Sequence, residues 1–129
     1  LTQDPILVDR TLEGGGPYQV SDKDLDVYRR PFLQTSCTGR SLMRTVQRLD
    51  IPKVTAEIEI GFRNWSVPTL VAWGVADKWL STEMAEAFVD QLPNGKLVKL
   101  EETGHYTHQD WWEKVADEML PFLRQSMPV

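Results

Sequence analysis

Two short stretches of this 129-residue chain carry residue types suited to proton transfer. Gly74 to Trp79 reads GVADKW, and Thr103 to Asp110 reads TGHYTHQD. A carboxylate that accepts the Nδ1 proton of an imidazole fixes its tautomer and stabilises the imidazolium, which leaves Nε2 to take a proton from a nucleophile or a water. Asp77 and His105 are the candidates for such a pair, and imidazole is the side chain whose charge ordinarily changes near neutral pH. Each residue also has a plainer reading. An Asp after a Gly commonly accepts hydrogen bonds from the backbone of its own turn, and a His after a Gly is often an ordinary loop residue. The surrounding pattern of elements favours the pair.

From Trp65 onward that pattern is regular. VPTLVAWG is a short apolar run bounded by Pro68 and Gly74, the form of a strand buried on both faces. STEMAEAFVDQLP sets Met84, Ala85, Phe88, Val89 and Leu92 on one side of a helix, behind a Ser81 or Thr82 cap and ahead of a stop at Pro93 and Gly95. KLVKLEE reads as a second strand. DWWEKVADEMLPFLRQ reads as a last helix, with Asp110 and Glu113 at capping-box spacing and Trp112, Val115, Ala116, Met119 and Leu123 turned inward. Pro121 is expected to bend or end it. Strand, helix, strand, helix with short links predicts two parallel strands joined by a right-handed crossover. Asp77 lies four residues after Trp73, and His105 four after Glu101, so both are expected to overhang the same sheet edge. That edge is where open α/β sheets bind ligands. Neighbouring strands stand about 4.8 Å apart, so equal overhang would bring the two side chains to hydrogen-bonding distance.

The first half, from Leu1 to about Asn64, has a different grammar. LEGGGPYQVSDKDLDVYRRPF breaks at three glycines and a proline, then shows Ser21 and Asp24 as a capping box for a helix through Tyr28 that Pro31 would stop. GRSLMRTVQRL places Leu42, Met43, Val46 and Leu49 on one helical face, and IPKVTAEIEIGF reads as a further helix after Pro52. No strand, internal repeat or low-complexity tract is expected here.

Composition narrows the function. The chain has 41% apolar residues, enough for a core, and 19 acidic against 14 basic residues, for a net charge of -5. An excess of acid with no basic stripe argues against a nucleic-acid partner. No apolar run approaches the roughly 18 residues of a spanning helix. A single cysteine, Cys37, excludes an internal disulfide and leaves the redox compartment undecided. His105 and His108 form an H-x-x-H pair without the Glu of a zinc protease, so no metal site is expected. A nucleophile is missing. GRSLM has Met43 where an elbow needs its second Gly and no strand before Gly39, so Ser41 is not expected to attack a substrate. QTSCTGR reads as a loop with no sign of a positioned Cys37 thiolate. EGGGPY follows no strand, so a phosphate-binding loop and a nucleotide cofactor are not expected either.

Together, VPTLVAWGVADKWL and QLPNGKLVKLEETGHYTHQDWWEKVADEMLPFL resemble the C-terminal end of the α/β-hydrolase fold in its haloalkane dehalogenase and epoxide hydrolase-like branch. The resemblance covers Val67 to Leu123. It implies that Asp77 is the acid and His105 the base of a nucleophile-His-acid triad; separately, Trp79, next to the Asp77 turn, is a candidate substrate-binding residue. GGPYQVSDKDLDVYRRPFL further resembles the helical lid of haloalkane dehalogenase-like proteins of plant and algal plastids, which implies residues 1–64 as lid and connector, residues 65–129 as core, and a chloroplast location. The family carries its nucleophile and oxyanion hole in an N-terminal half that precedes the lid. Two strands with free edges are unstable alone. The chain is therefore expected to be a C-terminal fragment, or a subunit that pairs with a separate N-terminal piece, acting on a small-molecule substrate when complete. The alternative is a non-catalytic docking subunit that uses a sheet edge and exposed tryptophans, Trp79 and Trp111 foremost, to bind a partner. Against that alternative, Trp73, Trp65 and Trp112 read as core residues, which leaves few tryptophans for an interface.

Overall fold

The computed structural model describes residues 6–126. The opening LTQDP and the last three residues lie outside that range. The chain forms two units, one made of the chain up to Gly14 together with Tyr18–Ala56, the other of Gly15–Pro17 together with the chain from Glu57 onward.

The first unit is helical. It contains α1 (Ile6–Gly14), α2 (Asp22–Gln34), α3 (Ser36–Arg48) and the start of α4 (Ile51–Phe62). Ser21 caps α2 as its spacing predicts, its hydroxyl accepting from the Asp24 N–H. Pro31 does not stop that helix. It removes one backbone bond, to the carbonyl of Val27, and Val27 lies on an exposed face where water can meet the freed carbonyl. Arg29 ties α1 to α2 through a two-point bond to Asp9, at 2.7 Å on each oxygen, and reaches Asp26 and Asp22 at 3.1 and 3.2 Å. Its hydrogen bond lowers the Asp9 carboxyl pKa from the usual range. Helix α3 starts at Ser36 behind a Thr35 cap, within the stretch QTSCTGR that reads as a loop, because the Thr35 hydroxyl takes the orphaned Cys37 N–H. The apolar face of α3 exists, yet Leu42, Met43, Val46 and Leu49 are exposed.

The second unit is α/β. Strands β1 (Thr69–Gly74) and β2 (Gly95–Leu100) pair in parallel, Thr69 opposite Gly95 and Gly74 opposite Leu100, with α5 (Thr82–Val89) as the crossover. At the start of the pair, Thr69 N–H donates to the Asn94 carbonyl and the Asn94 amide donates to the Ser66 carbonyl. Helix α5 buries Ala85, with Leu92 buried just past its end, while Phe88 meets Phe62 of α4 edge-on at 5.1 Å. Strand residues 70–73 are only half-buried, in contrast to the two-faced burial that their sequence predicts, because two strands leave much of each face without a covering layer.

The chain closes with α6 (Thr107–Asp110) and α7 (Trp112–Ser126). Pro121 lies within α7 and does not end it; the carbonyl it frees belongs to Asp117, another exposed residue. Trp112, expected inside, is 63% exposed, and Met119 and Leu123 are exposed as well. Trp65 is also exposed. No helix among the described residues is long and apolar enough to cross a membrane.

Candidate functional site

The parallel pairing carries both candidate side chains past the same end of the sheet. Asp77 lies three residues beyond the end of β1 and His105 five beyond the end of β2, so the overhangs differ by two. Glu101 and Glu102 absorb the difference in a turn outside the strand. Glu102 adopts a left-handed backbone with φ of 63°, a conformation uncommon for a residue with a Cβ. Lys114 braces that turn by donating to the Glu101 carbonyl at 2.7 Å and pairing with the Glu102 carboxylate at 3.2 Å. Thr103, fully buried, donates its hydroxyl to the Leu100 carbonyl, and its own carbonyl accepts from Ala76 N–H at 2.8 Å. The two loops are thus tied together before either candidate side chain is reached.

Asp77 serves both of the roles that its sequence context suggests. Its Oδ1 accepts from Trp79 N–H at 2.8 Å and Leu80 N–H at 3.0 Å, closing the turn after β1. Its Oδ2 lies 2.9 Å from Nδ1 of His105. The carboxylate side chain is 5% exposed and the imidazole 30%. Burial pushes the Asp77 pKa up, but the Trp79 and Leu80 N–H groups and His105 together outweigh it and hold the carboxyl below its usual range. An ionised carboxylate can only accept, so the proton of this bond belongs to Nδ1, and in the neutral imidazole that tautomer leaves the lone pair on Nε2.

Around this pair, the Trp79 ring centroid stands 4.8 Å from that of His105, and Tyr106 meets the imidazole edge-on at 5.0 Å. Ala72, Trp73, Leu80 and Thr107 join Asp77 and His105 in lining a cleft of about 210 Å³. The indole N–H of Trp73 is buried without an acceptor among the described residues. His108 is exposed on α6. Ser41 and Cys37 lie on α3, in the other unit. The Thr35 hydroxyl and then Arg40, whose guanidinium reaches Sγ at 3.1 Å, pull the Cys37 pKa down, an influence that the sequence reading of this thiol lacked.

Three residues at the site are not assigned to it by any sequence pattern. Gly15 and Gly16 belong to the same unit as the pair, and the Gly15 carbonyl accepts from both His105 N–H and Lys78 N–H. Asp110, expected to cap the last helix, instead accepts from Gly104 N–H at 2.6 Å, and the helix begins beyond it at Trp112. The run of three glycines is a visible signal, but in the sequence it reads as a break between helical pieces and a rejected phosphate-binding loop, not as part of this site. No local signal distinguishes an Asp that caps from one that reaches back six residues.

No family model matches the chain. It is 26% identical over 106 residues to Epoxide hydrolase 1 of Caenorhabditis elegans, a match that covers 81% of this chain and 25% of that protein. Among solved structures, it superposes on a candidate lipase from Acinetobacter baumannii AYE with a TM-score of 0.75 and 21% identity, covering 98% of this chain and 43% of that one. A loop variant of the haloalkane dehalogenase DbeA from Bradyrhizobium elkanii gives a TM-score of 0.67 and 22% identity over 95% of this chain and 44% of the other. The chain thus spans about a quarter of the curated relative and less than half of the matching structures. Helices against a small parallel sheet, closed by a loop with a Gly-His pair, form an α/β-hydrolase-superfamily fold related to the branch of haloalkane dehalogenases, epoxide hydrolases and lipases, and the chain corresponds to only part of those longer proteins.

Proposed function

We propose that this chain is the C-terminal part of an α/β-hydrolase-fold hydrolase and supplies the acid and base of its triad. The observation that carries the reading is the 2.9 Å contact between Asp77 Oδ2 and His105 Nδ1, with the other Asp77 oxygen already engaged by two backbone donors. Held this way, the imidazole presents Nε2 as a base. It takes the proton of a nucleophile or of an attacking water, and the imidazolium that forms is stabilised by the carboxylate. The nucleophile and its oxyanion donors come from the portion of the relatives' length that this chain does not span. The half-exposed strands and the unpaired Trp73 N–H support a further segment over this sheet. Trp79, partly exposed beside His105, lines the path of an apolar small-molecule substrate. Residues 1–64 act as lid and connector and residues 65–129 as core. The names of the relatives point to hydrolysis of an ester, an epoxide or a carbon-halogen bond, with water as co-substrate. A chloroplast location rests on the resemblance of the Gly15 to Leu33 stretch alone, and a fluorescent fusion of the full-length protein tests it.

The decisive experiment uses the full-length protein with its upstream sequence. It is assayed for 4-nitrophenyl butyrate cleavage, diol formation from styrene oxide and bromide release from 1-bromobutane, with and without His105→Ala. Turnover of one substrate that disappears in the variant, with an unchanged far-UV spectrum, supports the reading. Turnover that survives the substitution refutes it. The exposure of Trp112 favours a second reading, a docking subunit. In that case none of the three substrates is turned over, and native mass measurement finds the protein bound to a partner that a Trp112→Ala variant loses.

A further inference from the structure

His105 is held at its backbone as well as at its ring. Its own N–H donates to the Gly15 carbonyl at 2.9 Å, and the preceding N–H, that of Gly104, donates to Asp110 Oδ2 at 2.6 Å. Two successive peptide donors are therefore gripped from two sides, one by a carbonyl ninety residues upstream and one by a carboxylate six residues downstream. The Gly15 carbonyl also accepts from Lys78 N–H at 3.3 Å, one residue after Asp77. A single acceptor thus bridges the loop of the carboxylate and the loop of the imidazole.

Such bonds require the backbones to approach more closely than side chains would allow. A Cβ on Gly15 would stand 2.8 Å from the His105 Cβ and 3.3 Å from the Trp79 ring. On Gly104 it would stand 2.3 Å from the Gly16 Cα, and on Gly16 it would stand 2.9 Å from Asp110 Oδ2. Glycine at each of these positions lets the carbonyl of one segment reach the N–H groups of the next.

We propose that the Gly15–Gly16 segment and Asp110 form a two-point clamp on the Gly104–His105 backbone that sets the imidazole against Asp77 and Trp79. The clamp rests on the reading of Asp77 and His105 as an acid-base pair and deepens it. These are positioning residues: they touch neither ring nitrogen, but they fix the direction in which the His105 side chain leaves the main chain.

The test uses the full-length protein and whichever of the three substrates it turns over, with kcat and KM measured separately. The imidazole ¹⁵N and Nδ1–H resonances of His105 are recorded in parallel. In Gly15→Ala, the 2.8 Å approach falls short of the 3.4 Å at which ordinary contact begins, so His105 must shift by several tenths of an ångström. Because misplacement by about 1 Å costs on the order of 100-fold, the expected loss in kcat is roughly tenfold, with KM little changed. The Nδ1–H resonance moves or broadens. Asp110→Ala gives the same signature, while Asp110→Asn, whose amide oxygen still accepts from Gly104, restores kcat and resonance. Gly95→Ala is the control. Its Cβ would crowd Leu92 at 2.9 Å and Val89 at 3.0 Å at the opposite end of β2, so it lowers the melting temperature without altering kcat or the imidazole signals.

Unchanged kcat and resonance in both Gly15→Ala and Asp110→Ala overturn the clamp. So does a kcat loss in Gly95→Ala that matches theirs at equal loss of melting temperature. If Gly15→Ala does not fold, the Asp110→Ala and Asp110→Asn pair decides. An inactive His105→Ala beside unaffected Gly15→Ala and Asp110→Ala removes the clamp but leaves the acid-base reading, whereas an active His105→Ala removes both.

Discussion

Replacing Asp77 separates the two tasks its carboxylate performs. Asp77→Ala deletes the acceptor for Trp79 N–H, Leu80 N–H and the His105 imidazole. Bonds to a charged group contribute about 1.5–3 kcal/mol each, but the desolvation of a nearly buried carboxylate is relieved and the N–H of the exposed Trp79 regains water. The net destabilisation expected is therefore about 2–4 kcal/mol. Asp77→Asn keeps an oxygen for the turn and costs about 1 kcal/mol, since the bonds survive as neutral ones. Its effect on turnover is far larger. An amide that turns its oxygen to Trp79 and Leu80 presents its NH₂ to Nδ1, which makes Nδ1 an acceptor and moves the proton to Nε2. A base whose lone pair faces the wrong way loses about 10⁴-fold in kcat, equivalent to about 5 kcal/mol of barrier. Thermal melts of the full-length variants give the first pair of values, steady-state kinetics the second, and imidazole ¹⁵N shifts report the tautomer directly. Asp77→Asn with turnover within tenfold of the parent, or with Nδ1 still protonated, refutes the reasoning even if Asp77→Ala is unstable.

The pH dependence of stability follows from the same carboxylate. The folded-state pKa of Asp77 lies below its ordinary 3.8, so its contribution is complete above that value and is lost as pH falls through the folded one. The melting temperature of the parent is thus expected to fall more steeply below about pH 4 than that of Asp77→Asn, and parallel curves would contradict this. Glu102→Gly relieves a left-handed backbone but gives up the Lys114 ion pair, which is partly exposed and contributes little. A net gain of about 0.5 kcal/mol in denaturant melts is expected, and a loss above 1 kcal/mol would mean that the ion pair, not the strain, dominates.

Much of the second half was legible because its pattern is local. VPTLVAWG and KLVKLEE were found as strands, and the spacing between them specified a parallel pair with a helical crossover. The pairing of Asp77 with His105 was inferred from equal overhangs, which do not occur; the left-handed turn at Glu102 makes up the difference, and nothing in the identity of a glutamate announces that turn. Helix interiors were harder. Pro31 reads as a stop and Pro121 as a bend or a stop, but a single lost bond is tolerated inside a helix where its carbonyl faces water. Trp112 read as core from helical period alone, although period fixes only which residues share a face and not whether anything covers that face.

The sequence by itself determined the order strand, helix, strand, helix from Trp65 onward, the shared sheet edge past which Asp77 and His105 emerge, and the excess of acidic over basic residues, since each depends on neighbours a few positions apart or on composition alone. Tertiary structure decided that Asp110 grips Gly104 instead of capping a helix, and that a carbonyl some ninety residues upstream of His105 holds the N–H of that residue. Those contacts depend on how closely two backbones approach in space, and a one-dimensional pattern carries no record of that distance.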